Sequence, residues 1–398
     1  MIASMAPASD DLARRVRALP VAAPVAAVLP HAWVVGGAVR DLLLGHGAAV
    51  DLDLVVEGDA VAAAQQLAAA LGGSLVSHEA FGTASVEAGG HVYDLATARA
   101  ESYARPGALP DVRPGTVEED LLRRDFTVNA IAVSFDGRVE AAPQAFEDLD
   151  ARVLRVLHDG SFLDDPTRLL RLVRYATRLE LGVEPATAAL ASEAVEGGAL
   201  ATVTPTRLGS ELRLLLREPS AVEALAWVAR WPLGVSLSFD ASLARRALAL
   251  LPDDGRADLL LLGSACRLVA PAALAGWLDA LGFLSRERDL VVGVAQADGL
   301  EGALSGASRP SEIAAVARGV PVEAVALAGA LGAEPAARTW IEELRHVSLD
   351  IDGADLLAAG VAEGPALGRA LAAALAARLD GAAPDRDAQL AAALAAAA

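Results

Sequence analysis

From residue 33 to about residue 155 the chain alternates short apolar runs with longer segments whose apolar positions recur at helical spacing. WVVGG (33–37) reads as a strand that runs into two glycines. AVRDLLLG (38–45) reads as a helix closed by Gly45, and VDLDLVVEG (50–58) as a second strand. DAVAAAQQLAAALGG (59–73) is a helix with Asp59 as its N-cap. SLVSHE, TASVEA and HVYDLAT are further strands, the last two joined by the turn Gly89-Gly90. After about residue 159 the strand signals fade. FLDDPTRLLRLVRYATRLEL (162–181) has helical spacing, with acids and a proline in its first turn. TPTRLGSELRLLLREP (204–219) repeats that style, and from about 220 the chain reads as short helices broken by Gly and Pro, ending in nearly pure alanine. The pattern predicts an α+β fold: a mixed α/β head over 20–158, a helical neck over 159–220, and a helical body and tail over 221–398.

Composition changes this picture little. Hydrophobic residues make up 54% of 398 residues, much of it alanine, and aromatics only 4%, so the chain leans helical and has ample length for a core. The basic residues are all arginine, and the net charge of −19 argues against a protein that coats nucleic acid with a basic surface. A single cysteine, Cys266, excludes an intrachain disulfide, and the cytoplasm is the expected compartment. The first residues, MIASMAPASDDLARRVRAL, carry acids early and no apolar core, unlike a secretory signal. No membrane span is expected; RADLLLLGSACRLVAPAALAGWLDALGF (256–283) comes nearest, and Arg267 interrupts it.

The chemistry gathers at 34–58. In a strand, alternate side chains share a face, so Asp51 and Asp53 point the same way while Leu52 and Leu54 enter the core. Burying paired carboxylates is costly unless something neutralises them. Two on one face make an oxygen platform for Mg²⁺. The preceding Gly36-Gly37 turn lets backbone approach a ligand, and the helix start favours an anion. Asp94, in the apolar run HVYDLAT, is the candidate third acid for metal-assisted phosphoryl transfer. Arg168, Arg171, Arg174 and Arg178 form a basic stripe at helical steps, and Asp165 and Arg168, three apart on the expected helix, share a face. Arg207 and Glu211 suit a helix-stabilising pair.

Five stretches occur in a telling order: GGAVRDLLLG, DLDLVV, YDLATARAESYARPGALPDV, RRDFTVNAIA and DDPTRLLRLVRYATRLEL. Together they resemble the class II tRNA nucleotidyltransferases, the CCA-adding enzymes with their A-adding, CC-adding and poly(A) polymerase relatives. The resemblance runs from about residue 30 to 218 and returns weakly in SLDIDGADLLAAGVAEGPALGRALAAALAARLDG (348–381). It implies a nucleotidyltransferase-type head in which Asp51 and Asp53 carry Mg²⁺, Asp94 is the third carboxylate, and Gly36, Gly37 and Arg40 hold the triphosphate. It implies that Arg124, Asp125 and Asn129 contact the incoming nucleotide and that Asp165 and Arg168 read its base; the stripe arginines Arg171 and Arg174 are expected to contact the triphosphate or the tRNA acceptor end. Cytosine and adenine both present an amino group that a carboxylate can accept from and a ring nitrogen that a guanidinium can donate to. Family members usually carry glutamate where this chain has Asp164. The connection ARAESYARPGALPDVRPGTVEED (98–120), rich in Pro, Gly and charge, reads as a mobile loop; in the family this loop is needed for the final A, and CC-adding members shorten it.

The expectation is therefore template-independent addition of CCA to the tRNA 3′ acceptor end from CTP and ATP. The nearest alternative is A addition to CC-ended RNA, or poly(A) synthesis; a more distant one is a non-catalytic RNA-binding protein of the same fold. A dinucleotide-binding oxidoreductase is excluded by the lack of G-x-G-x-x-G after the first strand. The oligomeric state is not legible.

Overall fold

The computed structural model describes residues 9–46, 51–78 and 82–397. Residues 1–8, 47–50, 79–81 and 398 lie outside the described residues, and with them Val50 at the start of the expected strand 50–58 and Glu79 at the end of SLVSHE. Two compact units are present, one ending at Thr204 and one starting at Pro205.

The first unit is built on one mixed sheet. Its strands are β1 (Trp33–Val35), β2 (Leu52–Val56), β3 (Ser74–His78), β4 (Thr83–Ala88) and β5 (His91–Thr97). A separate hairpin of β6 (Arg99–Ser102) and β7 (Asp111–Pro114) intervenes before β8 (Ile131–Ser134) and β9 (Val139–Ala141). The spatial order is β3-β4-β5-β2-β1-β8-β9. Within this sheet, among the described residues, the β2–β5 pair alone is parallel. That crossover is supplied by α4 (Ala60–Leu71), which buries Ala60, Ala64 and Leu67. Asp59 caps α4 by accepting from the Val61 and Ala62 amides, and Gly72 ends it in the left-handed region.

Other helices of this unit are α1 (Ser9–Arg17), α2 (Ala23–Val28), α3 (Gly37–Leu44), α5 (Val117–Leu122), α6 (Ala145–Asp150), α7 (Ser161–Asp164), α8 (Thr167–Arg178) and α9 (Pro185–Glu196). Preceding β1, β2 and β8 supply most of the buried floor: Trp33, Val34, Leu52, Leu54, Ile131 and Val133 are each at most 1% exposed. A two-residue parallel pair, β10 (Val153–Leu154) with β11 (Gly182–Val183), ties the end of the head to the segment after α8.

Two local expectations differ from the structure. The segment 162–181 is not one helix. It breaks at Asp165, whose backbone is extended, because the residue before a proline is pushed out of the helical region; Pro166 then begins α8. Before it, RRDFTVNA is largely irregular: α5 ends at Leu122, Phe126 bridges Val156, and a single 3-10 turn spans Thr127–Asn129. The connection 98–120 contains the β6–β7 hairpin and the start of α5 rather than irregular loop throughout. Arg99, two residues away, and Arg123, far along the chain, both pair with the Glu101 carboxylate, and the second bond is one that local composition does not reveal.

Among its described residues, the second unit is helical throughout. Leu243, Leu260, Val325, Leu327, Trp340 and Ile341 belong to its main core. A smaller cluster of Ile351, Leu356, Ala370, Ala374 and Ala393 joins its last helices, where small side chains permit close packing. Cys266 is fully buried, and burial pushes its thiol up to about 12. Among the described residues, no helix is long and apolar enough to cross a membrane.

Candidate active site

Asp53 on β2 and Asp94 on β5 are direct partners across the parallel ladder. Alternation therefore sends both carboxylates to one face, while Leu52, Leu54, Tyr93 and Leu95 are buried. Asp51 lies one residue before β2, at a bend rather than inside the strand, and is exposed like the other two. Ser85 on β4 pairs with Asp94 from the other side, and its hydroxyl donates to the Asp94 carboxylate. Thr83, Ser85, Asp53, Asp94, Arg123 and Arg124 line an open cavity of about 420 Å³.

The protein crowded around the Asp53 carboxyl raises its pKa. Arg124 draws it back, Asp94 and then Asp51 push it up again by repulsion, and Arg40 opposes them. Carboxylates that destabilise one another's charge are relieved by a cation between them, and this all-oxygen donor set fits a hard divalent ion. Among the described residues no three His, Cys, Asp or Glu side chains close a complete cage. The aspartates therefore offer part of a coordination shell, leaving room for ligand oxygens and water.

The glycine turn meets these acids directly. Gly36 precedes α3 with φ 67°, a left-handed conformation that a side chain would strain. A Cβ on it would lie 3.3 Å from an Arg124 guanidinium nitrogen and 3.6 Å from an Asp53 oxygen. On Gly37 it would lie 3.5 Å from Arg40 Nη2. Arg124 donates through Nη2 to the fully buried Asp120 at 3.0 Å, while its buried Nε has no protein acceptor. Buried donors without partners are rare, and this one sits beside the carboxylate groove.

A second cluster backs the turn. Arg40 Nη1 donates to Asn129 Oδ1 at 2.6 Å, and Asn129 Nδ2 donates to Asp125 Oδ1 at 2.9 Å. Arg171 forks onto Asp125 Oδ2 through Nε and Nη2, at 2.8 and 2.6 Å. Burial works against the Asp125 charge, but Arg171, Asn129 and Arg168 together outweigh it and hold its carboxyl below the usual range. Arg174, buried like Arg40, reaches the same cluster from the next turn of α8.

Asp165 and Arg168 form a third group. Asp165 Oδ1 accepts from the Thr167 amide at 3.1 Å and from its hydroxyl at 2.7 Å, so the carboxylate caps α8 instead of riding on it. Arg168 donates to Ser161 and to the Arg123 carbonyl, each at 2.6 Å. That carbonyl ties the group to the arginine pair beside the cavity.

Several residues escaped sequence reasoning. Asp120 accepts from both Arg123 and Arg124, and the only trace of it was an acid three and four residues before two arginines. Ser85 and Ser161 act across strands and helices, which no local pattern records. Tyr175 was visible as an aromatic residue inside an arginine-rich helix.

Fold and site define a nucleotidyltransferase-type head with a glycine turn facing paired strand carboxylates, and residues 32–155 match the poly A polymerase head domain. The chain is 43% identical over 222 residues to an A-adding tRNA nucleotidyltransferase of Halalkalibacterium halodurans, covering 53% of this chain and 52% of the relative. It is 43% identical over 211 residues to a CC-adding tRNA nucleotidyltransferase of Deinococcus radiodurans, covering 51% and 54%. The chain thus spans about half the length of these curated relatives. The structure of the Thermotoga maritima CCA-adding enzyme complexed with tRNA aligns with a TM-score of 0.76 at 27% identity, over 97% of both chains. The head of this chain is thus similar to that of tRNA nucleotidyltransferases, and the chain shares the fold of CCA-adding enzymes.

Proposed function

We propose that this chain is a template-independent tRNA nucleotidyltransferase that adds CCA to tRNA 3′ ends from CTP and ATP. The observation that carries the reading is that Gly36 faces Arg124 and Asp53 so closely that a Cβ on it would lie 3.3 and 3.6 Å from them, with Asp94 beside Asp53 in the ladder. In this reading Asp51 and Asp53 hold Mg²⁺, which supplies charge neutralisation for the attacking and leaving oxygens. Gly36, Gly37, Arg40 and Arg124 take the triphosphate. Arg40 is anchored by Asn129, and Asn129 in turn by Asp125, so their donors are set before the nucleotide arrives. The RNA 3′-hydroxyl attacks the α-phosphorus; a new P–O bond forms, the α–β anhydride bond breaks, and pyrophosphate leaves. Asp94, steadied by the Ser85 hydroxyl, is assigned to take the hydroxyl proton. No covalent enzyme intermediate is required.

Asp165 and Arg168 are assigned to the Watson–Crick edge of the incoming base. A carboxylate acceptor beside a guanidinium donor suits the amino group and ring nitrogen of cytosine and of adenine. Uracil and guanine place carbonyls there and leave buried partners unmatched. A second reading, A addition to CC-ended tRNA, is favoured by the likeness to the Halalkalibacterium halodurans A-adding relative.

The test supplies purified protein and Mg²⁺ with labelled CTP or ATP, alone and together. Acceptors are tRNA ending at the discriminator base and tRNA ending in CC. Two C and one A on the first acceptor establish CCA addition. Incorporation of A alone, and only on the CC-ended tRNA, establishes the second reading. No incorporation on either acceptor overturns both.

A further inference from the structure

Tyr175 lies on α8, 9% exposed, with Phe126 edge-on at a centroid distance of 6.0 Å. Four guanidinium carbons surround its ring centroid: Arg40 and Arg171 at 5.4 Å, Arg174 at 5.1 Å and Arg178 at 5.3 Å. Its hydroxyl accepts from Arg171 Nη2 at 3.1 Å. Tracing the bonds gives a closed circuit. Arg40 donates to Asn129, Asn129 to Asp125, Arg171 to Asp125 and to the Tyr175 hydroxyl, and the Tyr175 ring returns to Arg40.

Four like charges around one point repel, and the negative face of an aromatic ring in a desolvated site offsets part of that repulsion. The ring is the one member of the circuit that touches both Arg40, three residues beyond the Gly36-Gly37 turn, and the arginines of α8. We propose that Tyr175 is a positioning residue of the nucleotide site, whose ring holds Arg40 and the α8 arginines at the spacing a nucleoside triphosphate requires. The inference rests on the reading above, in which Arg40 meets the triphosphate. Tyr175 itself touches no reacting atom. Its effect passes through the guanidiniums and falls on nucleotide binding rather than on the chemical step.

The test compares nucleotide KM and kcat of the full chain carrying Tyr175, Tyr175→Phe or Tyr175→Leu, with Mg²⁺, CTP or ATP and a tRNA acceptor. Tyr175→Leu raises nucleotide KM about tenfold while kcat stays within about twofold, and Tyr175→Phe keeps KM within about threefold of the parent. A merely structural role lowers the melting temperature and the active fraction, leaving KM unchanged. If the leucine variant does not fold, ring-fluorinated phenylalanine at position 175 keeps the shape and removes the negative face, and its KM rises relative to phenylalanine. An unchanged KM in the folded leucine variant, a phenylalanine variant as impaired as leucine, or a KM indifferent to fluorination overturns the proposal. A parent protein that incorporates no nucleotide overturns the functional reading instead, so the two failures are distinct.

Discussion

The two units of this chain spend their buried volume differently. In the first, Arg40, Asp120, Asp125, Arg168 and Arg174 are all less than a tenth exposed, and the bonds described above join Asp120 to Arg124 and Asp125 to Arg171. In the second, the interior is largely leucine, valine and alanine, with isoleucine and Trp340 among them. The few polar groups buried there serve nearby backbone: Glu323 accepts from the Arg256 amide, and Gln389 from the Asp350 amide. Most of its ion pairs lie at the surface, as with Arg245 and Glu223 or Arg338 and Glu334, although the part-exposed Arg256 reaches the less exposed Asp258 and Glu287. Taking charges out of water costs several kcal/mol per ion unless geometry and hydrogen bonds compensate, and apolar replacements often serve stability as well or better. The largely apolar core of the second unit avoids that cost. A site proposed to place donors around a polyphosphate has a reason to bear it.

The comparison is broken most directly at Asp53. Asp53→Asn keeps the size of the side chain and removes the charge, and nucleotide addition falls by about a thousandfold with no loss of melting temperature, the scale expected for lost transition-state electrostatics. A single-turnover assay alongside a thermal melt checks both halves. The opposite signature belongs to Leu327, fully buried in the second unit's core. Leu327→Ala lowers unfolding free energy by about 3 kcal/mol through lost transfer energy and a residual cavity, while nucleotide KM stays at the parent value; urea melts and the addition assay read the two quantities.

Asp125 joins the two kinds of effect. Its carboxyl titrates below the ordinary aspartate range in the folded chain. The stability it contributes is therefore complete above the unfolded aspartate value and is lost as pH falls from there through the lower folded value. Asp125→Asn removes about 2 kcal/mol at neutral pH, the scale of hydrogen bonds to a charged group. It also flattens the acid limb of a plot of urea midpoint against pH below about pH 4. An acid limb unchanged by the substitution would show that the Arg171 fork contributes nothing to folding.

How much of this was legible in the sequence divides along the same line. Alternation and capping are local, so β2, α4 with its Asp59 cap, the Gly89-Gly90 hairpin and the helical second unit followed from pattern alone. The run of apolar spacing over 162–181 hid its own break, because helical periodicity survives a one-residue interruption and only the Asp165-Pro166 step betrays it. The outward face of Asp53 between core-facing Leu52 and Leu54 was legible from the two-residue period, whereas Asp51 falls at a bend before β2, outside the alternation. The adjacency of Asp94 was not, because it depends on the parallel β2–β5 pairing across an intervening helix and two strands. Asp120, Ser85 and Tyr175 matter through what they touch in space, and a single sequence records spatial contact only where it happens to be local.

The smallest predicted effect is the sharpest check on the contrast. Arg338 bridges Glu334 at 3.0 Å and Glu342 at 2.9 Å along one exposed helix face, with its side chain 48% exposed. Counted as contacts, these two bonds rival the Arg171 fork on Asp125. Water screens them, however, and three long side chains must surrender rotamer freedom to make them, so exposed pairs of this kind contribute little. Arg338→Ala therefore leaves the melting temperature unchanged within error at physiological salt, and added salt does not alter that result. If Arg338→Ala destabilised the chain as much as Asp125→Asn, burial would not be what separates the two networks. The charged cluster around Asp125 would then have to be read as ordinary surface electrostatics that happen to lie near the site.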